Sequence, residues 1–221
     1  MFTNRDDAAR RLLQRLPTLE PSSTVILALP RGGLPVADVI AEALGAPLDI
    51  VLVRKIGVPG QPEFAVGAVT DGNEPRITIN DDVARLTGLE AAQIRALAQQ
   101  ELPEIDRRRE LYLKGRPPVP LTGKTVVVVD DGIATGATMR AALRLVRDAG
   151  PARLIAAVPV GPADTIAALA ADCDSVICLE SPADFRAVGL HYRDFGQVPD
   201  AVVTEILERH AHRRPPAPGT G

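Results

Sequence analysis

Apolar positions along the chain alternate between short unbroken runs and longer stretches with helical spacing. From Asp6 to Leu16 the apolar residues recur at helical intervals, and Pro17 stops them, predicting a helix within residues 1–20. Val25 to Leu29 (VILAL) is a run suited to a strand covered on both faces. Pro30-Arg31-Gly32-Gly33 follows at once, and a helix is then opened by Pro35 and closed by Gly45. Leu48 to Val53 predicts a second strand that ends at Arg54-Lys55, and Gly57, Pro59, Gly60 and Pro62 mark a mobile loop. Val66 to Thr70 and Arg76 to Ile79 are strand-like pieces around the turn Asp71-Gly72-Asn73. Residues 81–114 read as helical, kinked or split at Pro103. A stiff connector, Pro117 to Pro120, precedes the strand Thr125 to Val129. A helix from Thr138 to Ala149, a strand from Leu154 to Val160, a helix from Ala163 to Ala171 and a strand from Ser175 to Leu179 complete the pattern.

Strands alternating with helices at these lengths predict an α/β fold, a parallel sheet flanked by helices, with ligands at the C-terminal ends of the strands. The implied division is an N-terminal helix (1–20), a core (21–183) with a helical insert at about 81–114, a small C-terminal hood and helix (184–210), and a polar, proline-rich disordered tail (211–221).

Composition narrows the function classes. A hydrophobic share of 46% with 3% aromatics and no Trp predicts an aliphatic core. A formal charge of −3 argues against a general nucleic-acid binder, so any anion site has to be local. No apolar run approaches the roughly 18–20 residues of a membrane span, and MFTNRDDAARR carries acids where a secretion signal is basic and then apolar, which implies a cytoplasmic protein. Cys173 and Cys178 have no partners for a zinc set and read as reduced thiols. Arg107-Arg108-Arg109 reads as a solvated helix face, with phosphate binding as the competing reading.

The chemistry concentrates in VVVVDDGIATGAT, residues 126–138, where a buried strand carries two carboxylates at its C-terminal end and a small-residue loop enters a helix. Unpaired N–H groups at that helix start, with the hydroxyls of Thr135 and Thr138, favour a phosphate, and Gly136 and Ala137 allow close backbone approach. Asp130 and Asp131 would repel it unless they accept hydroxyl hydrogen bonds or help hold a cation. A phosphorylated sugar with a metal nearby meets both demands. Neither GxxxxGK[ST] nor a GxGxxG after a strand is present.

This segment resembles the motif by which type I phosphoribosyltransferases bind 5-phosphoribosyl-1-pyrophosphate (PRPP). The resemblance implies that Asp130 and Asp131 take the ribose hydroxyls and help hold Mg2+, mainly through substrate and water, while Ala134, Thr135, Gly136, Ala137 and Thr138 cradle the 5′-phosphate. Upstream, Pro30 to Gly33 is similar to the family's pyrophosphate loop, often with a cis peptide that would fall here at Pro30–Arg31. Arg54-Lys55 matches the basic residues after the second strand. Arg31, Lys55 and the N–H groups of Gly32 and Gly33 are then the expected pyrophosphate partners. Ile56 to Gly67 takes the place of the flexible catalytic loop. PRGGxPVA, VRKxGxPxxPEFAxGAV and DFxxVGxxYxDFG together resemble a narrower bacterial group of phosphoribosyltransferases.

The activity implied is transfer of the phosphoribosyl group from PRPP to a nitrogen nucleophile, a base not identified by the sequence. Catalytic roles fall on Asp130, Asp131 and Lys55. Where the 6-oxopurine branch carries an Asp, this chain has Ala134, which makes hypoxanthine and guanine poorer acceptors and leaves Glu63 and His191 as acid–base candidates. The base is to be covered by residues 184–194, by the insert, or by both, and Phe185, Tyr192 and Phe195 either stack on it or anchor the C-terminal fold. The resemblance also suggests a homodimer. Competing readings are a PRPP-binding regulator with little turnover and a sugar-phosphate-binding domain working beside another enzyme.

Overall fold

A computed structural model describes residues 1–71 and 75–211, with Pro62 and Glu63 described by their backbone alone. The chain builds an α/β core around a five-stranded sheet and adds a three-stranded antiparallel sheet. The parallel sheet contains β1 (Thr24–Ala28), β2 (Leu48–Ile50), β6 (Thr125–Val129), β7 (Arg153–Val160) and β8 (Ser175–Glu180), in the order β2-β1-β6-β7-β8. The second sheet holds β3 (Val53–Val58), β4 (Gln61–Thr70) and β5 (Ile77–Ile79). The helices are α1 (Arg5–Leu13), α2 (Gly33–Leu44), α3 (Asp81–Thr87), α4 (Ala91–Leu113), α5 (Ala137–Asp148), α6 (Ala163–Leu169) and α7 (Asp200–His210).

The unbroken apolar runs are buried on both faces, as a parallel sheet requires. In β6, Val127 and Val129 pack with Leu34 and Ile40 of α2, while Val126 and Val128 pack with Met139, Leu143 and Val146 of α5. Strands β1 and β6 pair in register from Thr24↔Thr125 to Ala28↔Val129, so the loops after them emerge side by side at one edge. This adjacency places Pro30 to Gly33 next to Asp130 and Asp131.

Three predicted elements differ. LDIVLV is not one strand: β2 ends at Ile50, and the chain leaves the sheet before β3 begins at Val53. The predicted mobile loop from Ile56 is an antiparallel ribbon of β3 and β4 with a register shift near Gly57, so its glycines and prolines mark a bulge and a turn within strands. Gly60, at φ 80°, makes that turn. The insert breaks between α3 and α4, at Gly88 (φ 67°), where the Gln93 side chain accepts from the Glu90 N–H at 2.8 Å to start a new helix. Pro103 sits on the exposed side of an uninterrupted α4.

The predicted turn Asp71-Gly72-Asn73 and the tail from residue 212 lie largely or wholly outside the described residues. No helix among the described residues is long and apolar enough to cross a membrane.

Candidate functional site

The C-terminal ends of β1 and β6 carry two adjoining cavities. The smaller, about 160 Å³, is lined by Lys55, Asp130, Gly132 to Met139 and Val188. The larger, about 540 Å³, is bounded by Pro30, Gly32, the ribbon from Val53 to Val58, and Leu97, Gln100 and Glu101 of α4. Lys55, Asp130 and Thr138 line both.

The small cavity is bordered by the N-terminus of α5. Gly136 caps α5 with φ 76°, a conformation that favours glycine, and no side chain fills the cap position, so the first-turn N–H groups of α5 face the loop. A Cβ on Gly136 would also stand 2.8 Å from Cγ2 of Thr165. Thr165 in turn donates its hydroxyl to the Ala134 carbonyl at 3.2 Å, fixing the loop from α6.

The loop after β1 is pressed against the acidic pair, and the Pro30–Arg31 peptide bond is cis. A Cβ on Gly33 would lie 2.6 Å from the Val129 carbonyl oxygen and 2.8 Å from Cα of Asp130, and one on Gly32 would overlap the Asp131 carboxylate. Both positions therefore demand glycine for close approach. The Gly33 N–H, expected to meet pyrophosphate, instead donates to the Leu29 carbonyl at 3.0 Å, closing the loop into the start of α2. Gly32 is the glycine that borders the cavity.

The two acids are not equivalent. Asp130 lines both cavities, and its carboxylate accepts from the Asp131 N–H at 2.9 Å. Burial, and then the neighbouring Asp131 charge, hold the Asp130 carboxyl well above the ordinary carboxylate range. Asp131 lines neither cavity and is 8% exposed. Its Oδ2 accepts from Arg5 Nε at 2.8 Å and lies 2.7 Å from the same guanidinium's NH2. Burial raises the Asp131 carboxyl, and Arg5 opposes that rise.

The basic residues divide in the same way. Lys55 borders both cavities. Arg54 lines the larger cavity while donating to Glu101 at 2.9 Å. Arg31 borders neither cavity, and its guanidinium lies 3.5 Å from Asp200 at the start of α7. Asp200 also accepts the hydroxyl of Tyr112 from α4. Arg107, Arg108 and Arg109 form ion pairs with Glu104 and Asp106 on their own helix and with Asp200 and Asp71 beyond it. Arg108 and Arg109 are half-buried, so the run is a tertiary ion-pair network where a solvated helix face was expected.

The C-terminal segment acts mainly as an anchor. Tyr192 and Phe195 pack at 4.9 Å between centroids and Tyr192 and Phe2 at 5.3 Å. The Tyr192 hydroxyl donates to the Asp131 carbonyl at 2.6 Å. Phe185 stacks on His191 at 5.3 Å, and Val188 is the one residue of the segment that reaches the small cavity. The side chain of Glu63 lies outside the described residues.

Sequence reasoning missed Arg5, Asp200 and the α4 residues Leu97, Gln100 and Glu101. Of these, the sequence points only to the helical insert as a possible cover of the site. Among the described residues no three acids, histidines or cysteines cluster as a metal site. The carboxylates lining the two cavities are Asp130 and Glu101, the latter paired with Arg54, a donor set that fits Mg2+ held largely by substrate oxygens and water.

Residues 3–194 match the phosphoribosyl transferase domain family, and the chain belongs to it. It is 49% identical over 213 residues to a Mycobacterium tuberculosis H37Rv protein named, provisionally, as a phosphoribosyl transferase, covering 96% of this chain and 47% of that protein. The chain thus spans about half the length of this curated relative. A crystal structure of the protein TT1426 from Thermus thermophilus is similar at 42% identity with a TM-score of 0.80, covering 94% of this chain and 98% of that one. The Bifunctional protein PyrR of Chloroflexus aurantiacus is 37% identical over 127 residues, covering 56% of this chain and 62% of that protein.

Proposed function

We propose that this chain binds PRPP and transfers its 5-phosphoribosyl group to the nitrogen of a base, releasing pyrophosphate. The observation that carries this reading is the position of Asp130, a carboxylate shared by a phosphate-cradling loop and a second, larger cavity with a basic margin. PRPP has this order of groups: a phosphate, a ribose with hydroxyls, and a pyrophosphate at the far end.

In the transfer, the acceptor nitrogen forms a bond to C1′ as the bond from C1′ to the pyrophosphate oxygen breaks. The α5 N-terminus and Thr135 to Thr138 hold the 5′-phosphate, and Asp130 accepts from a ribose hydroxyl. Lys55, with Arg54 and the Gly32 backbone, stabilises the leaving group as its charge develops. The ribbon of β3 and β4 borders the cavity where water has to be kept from C1′. Magnesium, when bound with the substrate, neutralises pyrophosphate charge.

At Ala134 there is no carboxylate to meet a purine, which supports an acceptor other than a 6-oxopurine. The test is pyrophosphate release from Mg-PRPP with a panel of nucleobases. Release with at least one base, abolished by Asp130→Asn, is expected. PRPP binding by calorimetry without release from any base would favour the PRPP-binding regulator. Absence of binding would sink both.

A further inference from the structure

We propose that the protein carries a second ligand site at the far end of α5, a mostly apolar cavity that takes a small organic cation, an aromatic or aliphatic body whose protonated nitrogen is met by Asp71. This goes beyond the PRPP reading and does not depend on it. Thr138, which lines both cavities of the first site, and Ala149, which lines this one, are about 16 Å apart along the helix. No residue lines both this cavity and either of the other two.

The cavity measures about 500 Å³, a size suited to a small metabolite. Leu27 of β1, Val51 after β2, Leu113 of α4, Leu121 before β6, and Leu145 and Val146 of α5 supply apolar lining. The connector ahead of β6 is pinned in place beside them. Asp49, only 3% exposed, accepts from the Val119 N–H at 2.9 Å and from the Ile50 N–H at 3.0 Å. Aliphatic walls held apart in this way lower stability until an apolar body lies between them.

The charged groups of the lining decide what that body carries. Asp49, Asp71 and Glu110 stand against Arg109 and Arg116, and both arginines are already engaged. Arg109 divides its guanidinium between Asp71 Oδ2, at a long 3.4 Å, and Asp106 at 3.1 Å. Arg116 donates to the Leu207 carbonyl of α7 at 2.9 Å, and its charge acts on Glu208. The Asp71 side chain is 19% exposed. Burial raises its carboxyl above the ordinary carboxylate range, Arg109 and the Leu52 N–H oppose that rise, and the Asp49 charge adds to it. A largely buried acid with a shared, distant cation is the group that a ligand's positive nitrogen satisfies. An anionic ligand would meet Asp49 and Asp71 with both arginines already bonded.

The test uses benzamidine, benzamide and benzoate, one shape with three charges, titrated by NMR into the whole protein without PRPP or magnesium. Benzamidine is expected to bind at least about tenfold more tightly than benzamide, and benzoate more weakly than either. Asp71→Asn is expected to bring benzamidine and benzamide within about twofold of each other. Ala149→Trp, at an exposed position of the lining, is expected to weaken both by about tenfold by occupying the cavity. Equal affinity of the wild type for benzamidine and benzamide, or tighter binding of benzoate, overturns the proposal. So does a preference for benzamidine that survives Asp71→Asn.

A crystal structure of the benzamidine complex fixes the location. The ring among Leu113, Leu121 and Leu145 with its amidinium toward Asp71 supports the site, and a molecule bound beside Asp130 instead overturns it. If Asp71→Asn does not fold, the wild-type probe series and this structure decide. Because PRPP enters none of these measurements, failure of the PRPP reading and failure of this site are told apart.

Discussion

The two sides of the acidic pair are built differently. Behind Asp131 stands a packed network in which Arg5, Phe2, Tyr192 and Phe195 are joined by ring contacts and backbone bonds. In front of Asp130 lie two open cavities, bordered by exposed Lys55 and by a ribbon that meets the larger core through Ile56 and Val66. Adjacent residues of one strand end therefore serve opposite purposes. The closed side is packed against the N- and C-terminal segments, and the open side borders the two cavities. Substitutions behind the pair should be read in stability, and substitutions in front of it in binding.

The largest expected effect is Arg5→Met, which leaves Asp131 buried and uncompensated. Urea unfolding should show a loss of roughly 3–5 kcal/mol, as for other buried ion pairs broken from one side. A loss below about 1 kcal/mol, the scale of a surface pair, would dissolve the contrast between the two sides.

Asp130→Asn should do the reverse. PRPP affinity falls about 100-fold, which is about 2.7 kcal/mol, while the protein becomes more resistant to heat. The sign follows from burial and the Asp131 charge, which raise the Asp130 carboxyl above its unfolded value. Its contribution to stability is full below the unfolded pKa and is lost as pH rises through the folded one. The Asn variant does not suffer that loss, so its advantage in melting temperature should widen from acid to neutral pH. A melting curve that drops at pH 7 would show that Asp130 is structural.

Lys55→Ala should weaken Mg-PRPP binding by about tenfold, or about 1.4 kcal/mol, without moving the unfolding midpoint. Equal damage to stability would place Lys55 with the closed side. The smallest effect is expected at Arg54→Gln. Its pair with Glu101 is about one-third exposed, with side-chain values of 35% and 27%. Such a change should cost between about 0 and 1 kcal/mol in urea unfolding.

The open side was the more legible in the sequence. Residues 125–138 form strand, acids, loop and helix without interruption, so local chemistry alone points to an anion at the α5 N-terminus. Gly32 and Gly33 stood out as well, although for one of them the physical reason differs: Gly33 is required by the proximity of the β6 backbone and spends its N–H within the loop. Lys55 borders the cavities, while Arg31, equally conspicuous in sequence, is drawn toward Asp200 on α7. Arg5 gave no signal, because an arginine opening an amphipathic helix is ordinary and its partner lies 126 residues away. The ribbon was misread for a related reason. Glycine and proline break local strand preference, and pairing between β3 and β4 overrides it.

The Arg5 contacts also bear on how the protein is made. The loop after β6 lies on one continuous segment with its own strand and helix, whereas the clamp on Asp131 joins Arg5 to partners 126 and 191 positions downstream, Asp131 itself and the Gly196 carbonyl. On a chain emerging from the ribosome N-terminus first, Arg5 waits without its carboxylate until β1, β2 and β6 have been synthesised, and without Gly196 until the whole sheet has. The anion loop is thus an early product of synthesis. The paired acids acquire their final arrangement only after Gly196 has been made, so a chain translated only through α5 carries the loop after β6 without the clamp that fixes Asp131.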